Sequence, residues 1–124
     1  MLELTDFNFD VNYYLAGPMS GYPSYNYPAF EKAAAELRES GVKILSPHEV
    51  PWPRGHEKME PSGLGAVMME ETAKLIVDCE AIILLRGWPS SQGAKIELRL
   101  FLDKGQPVFY YDNYRLIDMN RSAA

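Results

Sequence analysis

Cysteine is nearly missing from this chain: Cys79 is the only one in 124 residues, so no disulfide can close within it. Basic residues are also in the minority, with 12 Lys and Arg against 17 Asp and Glu and a formal net charge of −5. The cations are scattered rather than gathered in a stripe, which argues against a polymeric nucleic-acid partner. No apolar run approaches the roughly 20 residues that span a bilayer. The acidic segment Met1–Asp10 lacks the basic-then-apolar order of a secretory signal. A reducing cytoplasmic setting away from membranes is therefore expected. No His/Cys/Asp cluster has zinc-ligand spacing, and neither a Walker loop nor a G-x-G-x-x-G fingerprint occurs, so neither a metal nor a cofactor is expected.

What is present reads as one α/β domain over residues 1–124. The composition is that of a globular protein, 47% hydrophobic and 23% charged, without a low-complexity tract, internal repeat or dividing linker. Val11–Ala16 is a β-branched and aromatic run stopped by Gly17-Pro18, as a buried strand entering a turn would be. From Pro28 to Ser40 the residues Phe30, Ala33, Ala34 and Leu37 recur at helical spacing, with Pro28 suited to the first turn and Gly41 to the residue beyond the end. Val42–Leu45 is a short strand. Ser46–Ser62 is a loop, because Pro47, Pro51, Pro53, Pro61 and Gly55 oppose regular structure. Leu64, Val67, Met68, Leu75, Ile76 and Cys79 mark a second helix, with Cys79 in the core, and Ala81–Leu85 has strand length. A third helix runs from about Ser91 to Lys104 with Ala94, Leu98, Phe101 and Leu102 inward and Gly105 closing it. Pro107–Tyr111 is another strand, and Asn113–Met119 a short last helix.

Strands that alternate with helices imply right-handed crossovers and a mainly parallel sheet, whose ligands sit at the carboxyl ends of the strands. Two turns then fall side by side. In the first, Gly17-Pro18-Met19-Ser20-Gly21, missing side chains let backbone N–H groups approach an anionic or hydroxyl-rich ligand, although a tight structural turn explains the same glycines. The second runs from Gly87-Trp88 through Ser91 and Gly93 to Glu97, placing a hydroxyl and a glycine at a helix start and a carboxylate one turn on. Gly93 and Glu97 are four apart and share a face, so the space in front of the acid is open. A surface pairing or a helix-dipole role accounts for Glu97 equally well from spacing alone. In the long loop Trp52, Arg54 and His56 are of types that stack on a base, hold an anion or protonate a leaving nitrogen, whereas His48 reads as a structural turn residue after Pro47.

Tyr14-Leu15-Ala16-Gly17-Pro18-Met19, Pro28-Ala29-Phe30 with Leu37-Arg38 and Gly41, and Gly87-Trp88 with Ser91-x-Gly93-Ala94-x-x-Glu97 together resemble the nucleoside 2-deoxyribosyltransferase-like superfamily, and within it the branch known as DUF4406. The likeness runs from about Tyr13 to Phe109. It implies a flavodoxin-like three-layer sandwich with a mainly parallel sheet of four to five strands. It also implies a glutamate, here Glu97, that attacks the anomeric carbon of a nucleoside or nucleotide and forms a covalent glycosyl intermediate. Tyr14 matches the tyrosine that holds that glutamate. Glu80 falls where relatives carry Asp, with Asp78 close enough to substitute. Ser91 stands where the superfamily's nucleotide N-hydrolases carry serine and its transferases aspartate; a hydroxyl at a helix start suits a 5′-phosphate that a carboxylate would repel. Gly17, Pro18, Met19, Ser20, Gly21, Gly87, Trp88 and Gly93 complete the expected binding residues. The arginine of the hydrolases' first loop is missing. The resemblance further implies a homodimer or larger homo-oligomer, for which Phe109–Tyr114 offers an aromatic surface.

Overall fold

Alternation of side chains along four short apolar runs makes the frame of this molecule, because each run has one set of side chains to bury on either side. The computed structural model describes residues 8–19, 21–49 and 73–119. In chain order the elements are β1 (Asn12–Ala16), α1 (Tyr27–Glu39), β2 (Lys43–Leu45), β3 (Ala81–Leu85), α2 (Gln92–Asp103), β4 (Val108–Asp112) and β5 (Arg115–Asp118). The sheet order is β2-β1-β3-β4-β5. The first four strands are parallel and β5 is antiparallel to β4. Order and layering make this a flavodoxin-like α/β sandwich.

Leu15, Ile83 and Leu85 face α1, where Phe30, Ala33 and Leu37 cover them. Tyr14, Ala16, Ile82 and Leu84 face the other way, under Ala94 and Phe101 of α2. Residues 73–77 are helical and bring Ile76 to this second face, with Cys79 just beyond. Cys79 is core, as its position in the run suggested, and burial first and Asp78 second push its thiol up to about 12. Both long helices end alike. Gly41 and Gly105 take left-handed φ of 94° and 68°, and the following Val42 and Gln106 N–H groups return to the Leu37 and Phe101 carbonyls, so the last turns are closed.

The end of the chain departs from expectation. Asn113–Met119 does not form a helix; Arg115–Asp118 returns as β5, with Asp112 opposite Arg115 and only Asn113 and Tyr114 between. Both turn residues have positive φ, 48° and 65°, the backbone that a two-residue hairpin needs to match strand twist. Neither is glycine, so the usual sequence cue is lacking. A second correction concerns Leu102, which is 47% exposed while Phe101 beside it is fully buried. The hairpin is tied to α1 by Glu36, a buried carboxylate that accepts from Lys32 Nζ at 2.7 Å and from the Tyr111 hydroxyl at 2.5 Å. Burial alone would raise the Glu36 carboxyl, but hydrogen bonds from Lys32, Tyr111 and Tyr114 outweigh it and hold the group below its ordinary value.

Of the predicted second helix, Leu64, Val67 and Met68 lie outside the described residues, as do Trp52, Arg54 and His56. At the start of the long loop Pro47–Glu49 form a single 3₁₀ turn, where Ser46 Oγ and His48 Nδ1 are 2.5 Å apart and the His48 ring packs near Tyr27 and Phe30. His48 is thus a turn residue in a packed setting. No helix among the described residues is long and apolar enough to cross a membrane.

Candidate functional site

β1 leads into α1 on one face of the sheet, and β3 leads into α2 on the other, so the chain parts in opposite directions between two neighbouring strands. A crevice at the carboxyl ends of β1 and β3 follows from that divergence. Both glycine turns lie there. A Cβ added at Gly87 would come within 3.1 Å of Tyr22 Oη and 3.2 Å of Pro18 Cγ, and Gly87 has a φ of +88° besides, so only glycine suits this contact. The predicted neighbourhood of the two turns is therefore observed.

Their inner parts differ in use from what the sequence suggested. Gly17 is buried, and a Cβ there would meet Leu85 Cβ at 2.9 Å; its missing side chain serves close packing of β1 against β3. Pro18 and Met19 are buried as well. The Pro18 carbonyl accepts from Asn26 Nδ2 at 2.9 Å, and the Met19 carbonyl from the Tyr22 N–H at 3.2 Å. Gly21 lies on the exposed outside of the turn, and Ser20 is outside the described residues. Ser24, Tyr25 and Asn26 then run through three consecutive left-handed conformations, with φ of 53°, 53° and 61°. Such residues cost of order 1 kcal/mol each, so the tie from Asn26 to Pro18 helps hold a strained segment beside the crevice.

On the second side, Ser91 caps α2: its Oγ accepts from the Ala94 N–H at 3.1 Å. The cap uses an oxygen lone pair, and the hydroxyl hydrogen is still a donor for a ligand. Trp88 is half-buried against the α2 face, and Ser90 Oγ donates to the Gly87 carbonyl at 2.8 Å. Among the described residues, a Cβ at Gly93 would meet nothing nearer than Ser91 Oγ at 3.9 Å, so these residues leave the space there open.

One turn further on, Glu97 is only 7% exposed, and Tyr14, fully buried in β1, donates its hydroxyl to Glu97 Oε2 at 2.6 Å. A carboxylate removed from water in this way needs partners, and the tyrosine supplies one while fixing where the oxygen points. The Tyr14 ring stacks on Phe101 with centroids 6.2 Å apart. Gly93, Glu97 and Phe101 are spaced i, i+4, i+8 on α2, giving in order an opening, an acid and a brace for the acid's partner.

Asp78 and Glu80 are not brought to this edge. The Glu80 N–H donates to the Asn12 carbonyl, and the Asp78 carbonyl accepts from Asn12 Nδ2, which puts both at the amino ends of β1 and β3. A position just before a strand cannot reach that strand's far end, and this corrects their expected part in binding. Residues that the sequence reading missed are Tyr22 and Asn26. The unusual tyrosine density after Gly21 was the available signal, but their contacts to Gly87 and Pro18 are set by tertiary structure.

The family model described as "Domain of unknown function (DUF4406)" matches residues 11–110. The chain belongs to this family. The matched span covers both glycine turns, Tyr14, Glu97 and β1 through most of β4, so every part of the crevice described above lies within the DUF4406 domain. No curated protein matches the chain. Among the described residues no three His, Cys, Asp or Glu side chains group to hold a metal ion.

Proposed function

We propose that this DUF4406 protein cleaves the N-glycosidic bond of a nucleoside 5′-monophosphate, or of the nucleoside, with Glu97 as nucleophile. The observation that carries this reading is a carboxylate in the interior, held by the Tyr14 hydroxyl at 2.6 Å and bordered one helical turn earlier by a glycine before which the described residues leave space. In the first step a Glu97 oxygen bonds to C1′ while the C1′–N bond breaks, and the departing base nitrogen takes a proton from solvent, which the attacking water of the next step returns. A buried carboxylate stabilises the oxocarbenium-like transition state and then traps it. Water next attacks C1′, releasing the sugar phosphate and restoring Glu97. Tyr14 is a positioning residue for the acid, and Ser91 donates to the 5′-phosphate at the start of α2. The protein works in the cytoplasm as a homo-oligomer on this reading, and a monomer by light scattering would contradict the latter part.

Two other readings share the same crevice. If a second base rather than water takes the sugar, the protein is a nucleoside 2-deoxyribosyltransferase; if the acid only holds a ligand, it is a nucleotide-binding protein without turnover. Ser91 in place of an acid favours the hydrolase acting on a monophosphate. Incubation with a deoxynucleoside or its 5′-monophosphate, with and without a second base, separates all three when the products are followed by chromatography. Free base from the monophosphate alone, abolished in Glu97→Gln, is expected. Exchange of bases would point to the transferase, and binding without turnover that survives Glu97→Ala would overturn the enzymatic reading.

A further inference from the structure

Between the two glycine turns of the crevice stands a side chain to which the proposed reaction gives no part. Tyr22 follows the first turn, and its backbone is held on both sides: its N–H donates to the Met19 carbonyl at 3.2 Å, and its carbonyl accepts from the Tyr25 N–H at 3.0 Å. From that base the ring reaches the second turn, where the point that a Gly87 Cβ would occupy lies 3.1 Å from Tyr22 Oη and 3.2 Å from Pro18 Cγ. Neither neighbour takes the phenol's proton. The Gly87 carbonyl already accepts from the Ser90 N–H at 3.1 Å and from Ser90 Oγ at 2.8 Å, and the Pro18 carbonyl accepts from Asn26 Nδ2 at 2.9 Å. The Tyr22 hydroxyl forms no hydrogen bond with the described residues, and the residue is 41% exposed. A phenol placed by two backbone bonds and seated on a glycine is a directed donor whose hydrogen is available to a ligand.

Its position says which part of a ligand it meets. Gly87 and Ser91 are the two caps of one 3₁₀ turn, Trp88–Ser90, and Ser91 is also the N-cap of α2. At a rise of about 2 Å per residue, the turn separates its caps by roughly 8 Å. A hydroxyl therefore stands at each end, Tyr22 Oη over Gly87 and Ser91 Oγ at the start of α2. A phosphate, with several oxygens and a hydrogen bond of about 2.8 Å on either side, covers such a span, whereas a lone sugar hydroxyl does not. The phenol carries no charge to repel a dianion, and the amino end of α2 favours one. We infer that Tyr22 is a substrate-binding residue whose hydroxyl donates to the 5′-phosphate from the side opposite Ser91, and that it sets the preference for the monophosphate over the nucleoside. The inference rests on the nucleotide reading above but not on turnover, since a nucleotide-binding protein would use the same contact.

Calorimetric titration with 2′-deoxynucleoside 5′-monophosphates and the matching deoxynucleosides tests it, using the full chain with Glu97→Gln to prevent cleavage and the same chain with Tyr22→Phe added. A deoxynucleoside too weak to titrate directly is measured by competition against its monophosphate. Phenylalanine keeps the ring against Gly87 and Pro18 and removes only the hydroxyl, so circular dichroism should show both proteins equally folded. At least one monophosphate is expected to bind saturably. Tyr22→Phe should weaken that binding about tenfold or more, as loss of a hydrogen bond to a charged group does, and leave the deoxynucleoside's affinity unchanged. Monophosphate affinity untouched by Tyr22→Phe would overturn the inference while leaving the nucleotide reading in place. Equal weakening of both ligands would do the same, because the hydroxyl would then act on the sugar, the base or the fold. Binding of neither class of ligand would overturn the inference and the nucleotide reading together.

Discussion

Two buried carboxylates, one on each face of the sheet, receive a tyrosine hydroxyl from a strand: Glu36 from Tyr111 at 2.5 Å and Glu97 from Tyr14 at 2.6 Å. Their exposures, 8% and 7%, are nearly the same. What differs is the residue one helical turn before each acid. At Glu36 it is Lys32, whose ammonium lies 2.7 Å from the carboxylate; at Glu97 it is Gly93, where the described residues leave the place of a side chain unfilled. The first arrangement is a tie between α1 and the β4–β5 hairpin. The second keeps the same tyrosine contact but has glycine, not lysine, at the position one turn before. The two buried acids thus share a tyrosine contact and differ in the residue at i−4, a lysine for Glu36 and a glycine for Glu97.

The comparison breaks most severely if the opening is closed. Gly93→Lys copies the Lys32–Glu36 arrangement onto α2, and we expect base release to fall about 10³-fold, equivalent to about 4 kcal/mol. Its melting temperature should hold or rise, because glycine inside a helix costs up to about 1 kcal/mol. Full activity in this variant would sever the opening from function. Next in size, Tyr14→Phe keeps the ring against Phe101 and removes only the hydroxyl. A fall of about 10²-fold in kcat is expected, with KM little changed, in steady-state assays of base release. A change in KM alone would mean that Tyr14 acts on binding.

Glu36→Ala should do the reverse. It strands the buried Tyr111 hydroxyl and should lower stability by about 2 kcal/mol in denaturant titration, while base release by the folded protein stays near the parent's. Loss of activity without loss of stability would show that the two carboxylates are not divided as argued. The smallest effect concerns acidification. Burial disfavours the charged form of His48 and lowers its pKa from 6.5, against a smaller opposing pull from Glu49. The unfolded chain therefore binds this proton at higher pH than the fold does, and stability declines as pH falls below 6.5. Glu36, held below 4.5, adds its own loss only at lower pH, as the fold's preference for its ionised form is titrated away. Thermal melts between about pH 7.5 and 5.5 should show the His48 decline in the parent and a flatter profile in His48→Asn. Identical profiles would remove His48 from the account.

The legible part of this structure was local. Apolar runs bounded by proline and glycine located four strands and two long helices, and the four-residue step from Gly93 to Glu97 located an acid with an opening before it. The hairpin was not legible, since Asn113 and Tyr114 take left-handed backbone without glycine to announce it. Nor was the Glu36 tie: a charged residue on an amphipathic helix reads as solvent-facing, and its partner Tyr111 is 75 positions away. Asp78 and Glu80 were misplaced for a related reason. Proximity to a strand in sequence does not say which end of that strand a side chain serves, and the Asn12 contacts place both at the amino end.

The central claim, that Glu97 forms a bond to an anomeric carbon, is tested most directly by acid-quenching the protein during reaction with a deoxynucleoside 5′-monophosphate and mapping its peptides by mass spectrometry. The account predicts a deoxyribosyl-phosphate adduct on Glu97, absent from Glu97→Gln. Base release that proceeds with no adduct on that residue, or that persists in the glutamine variant, would contradict it.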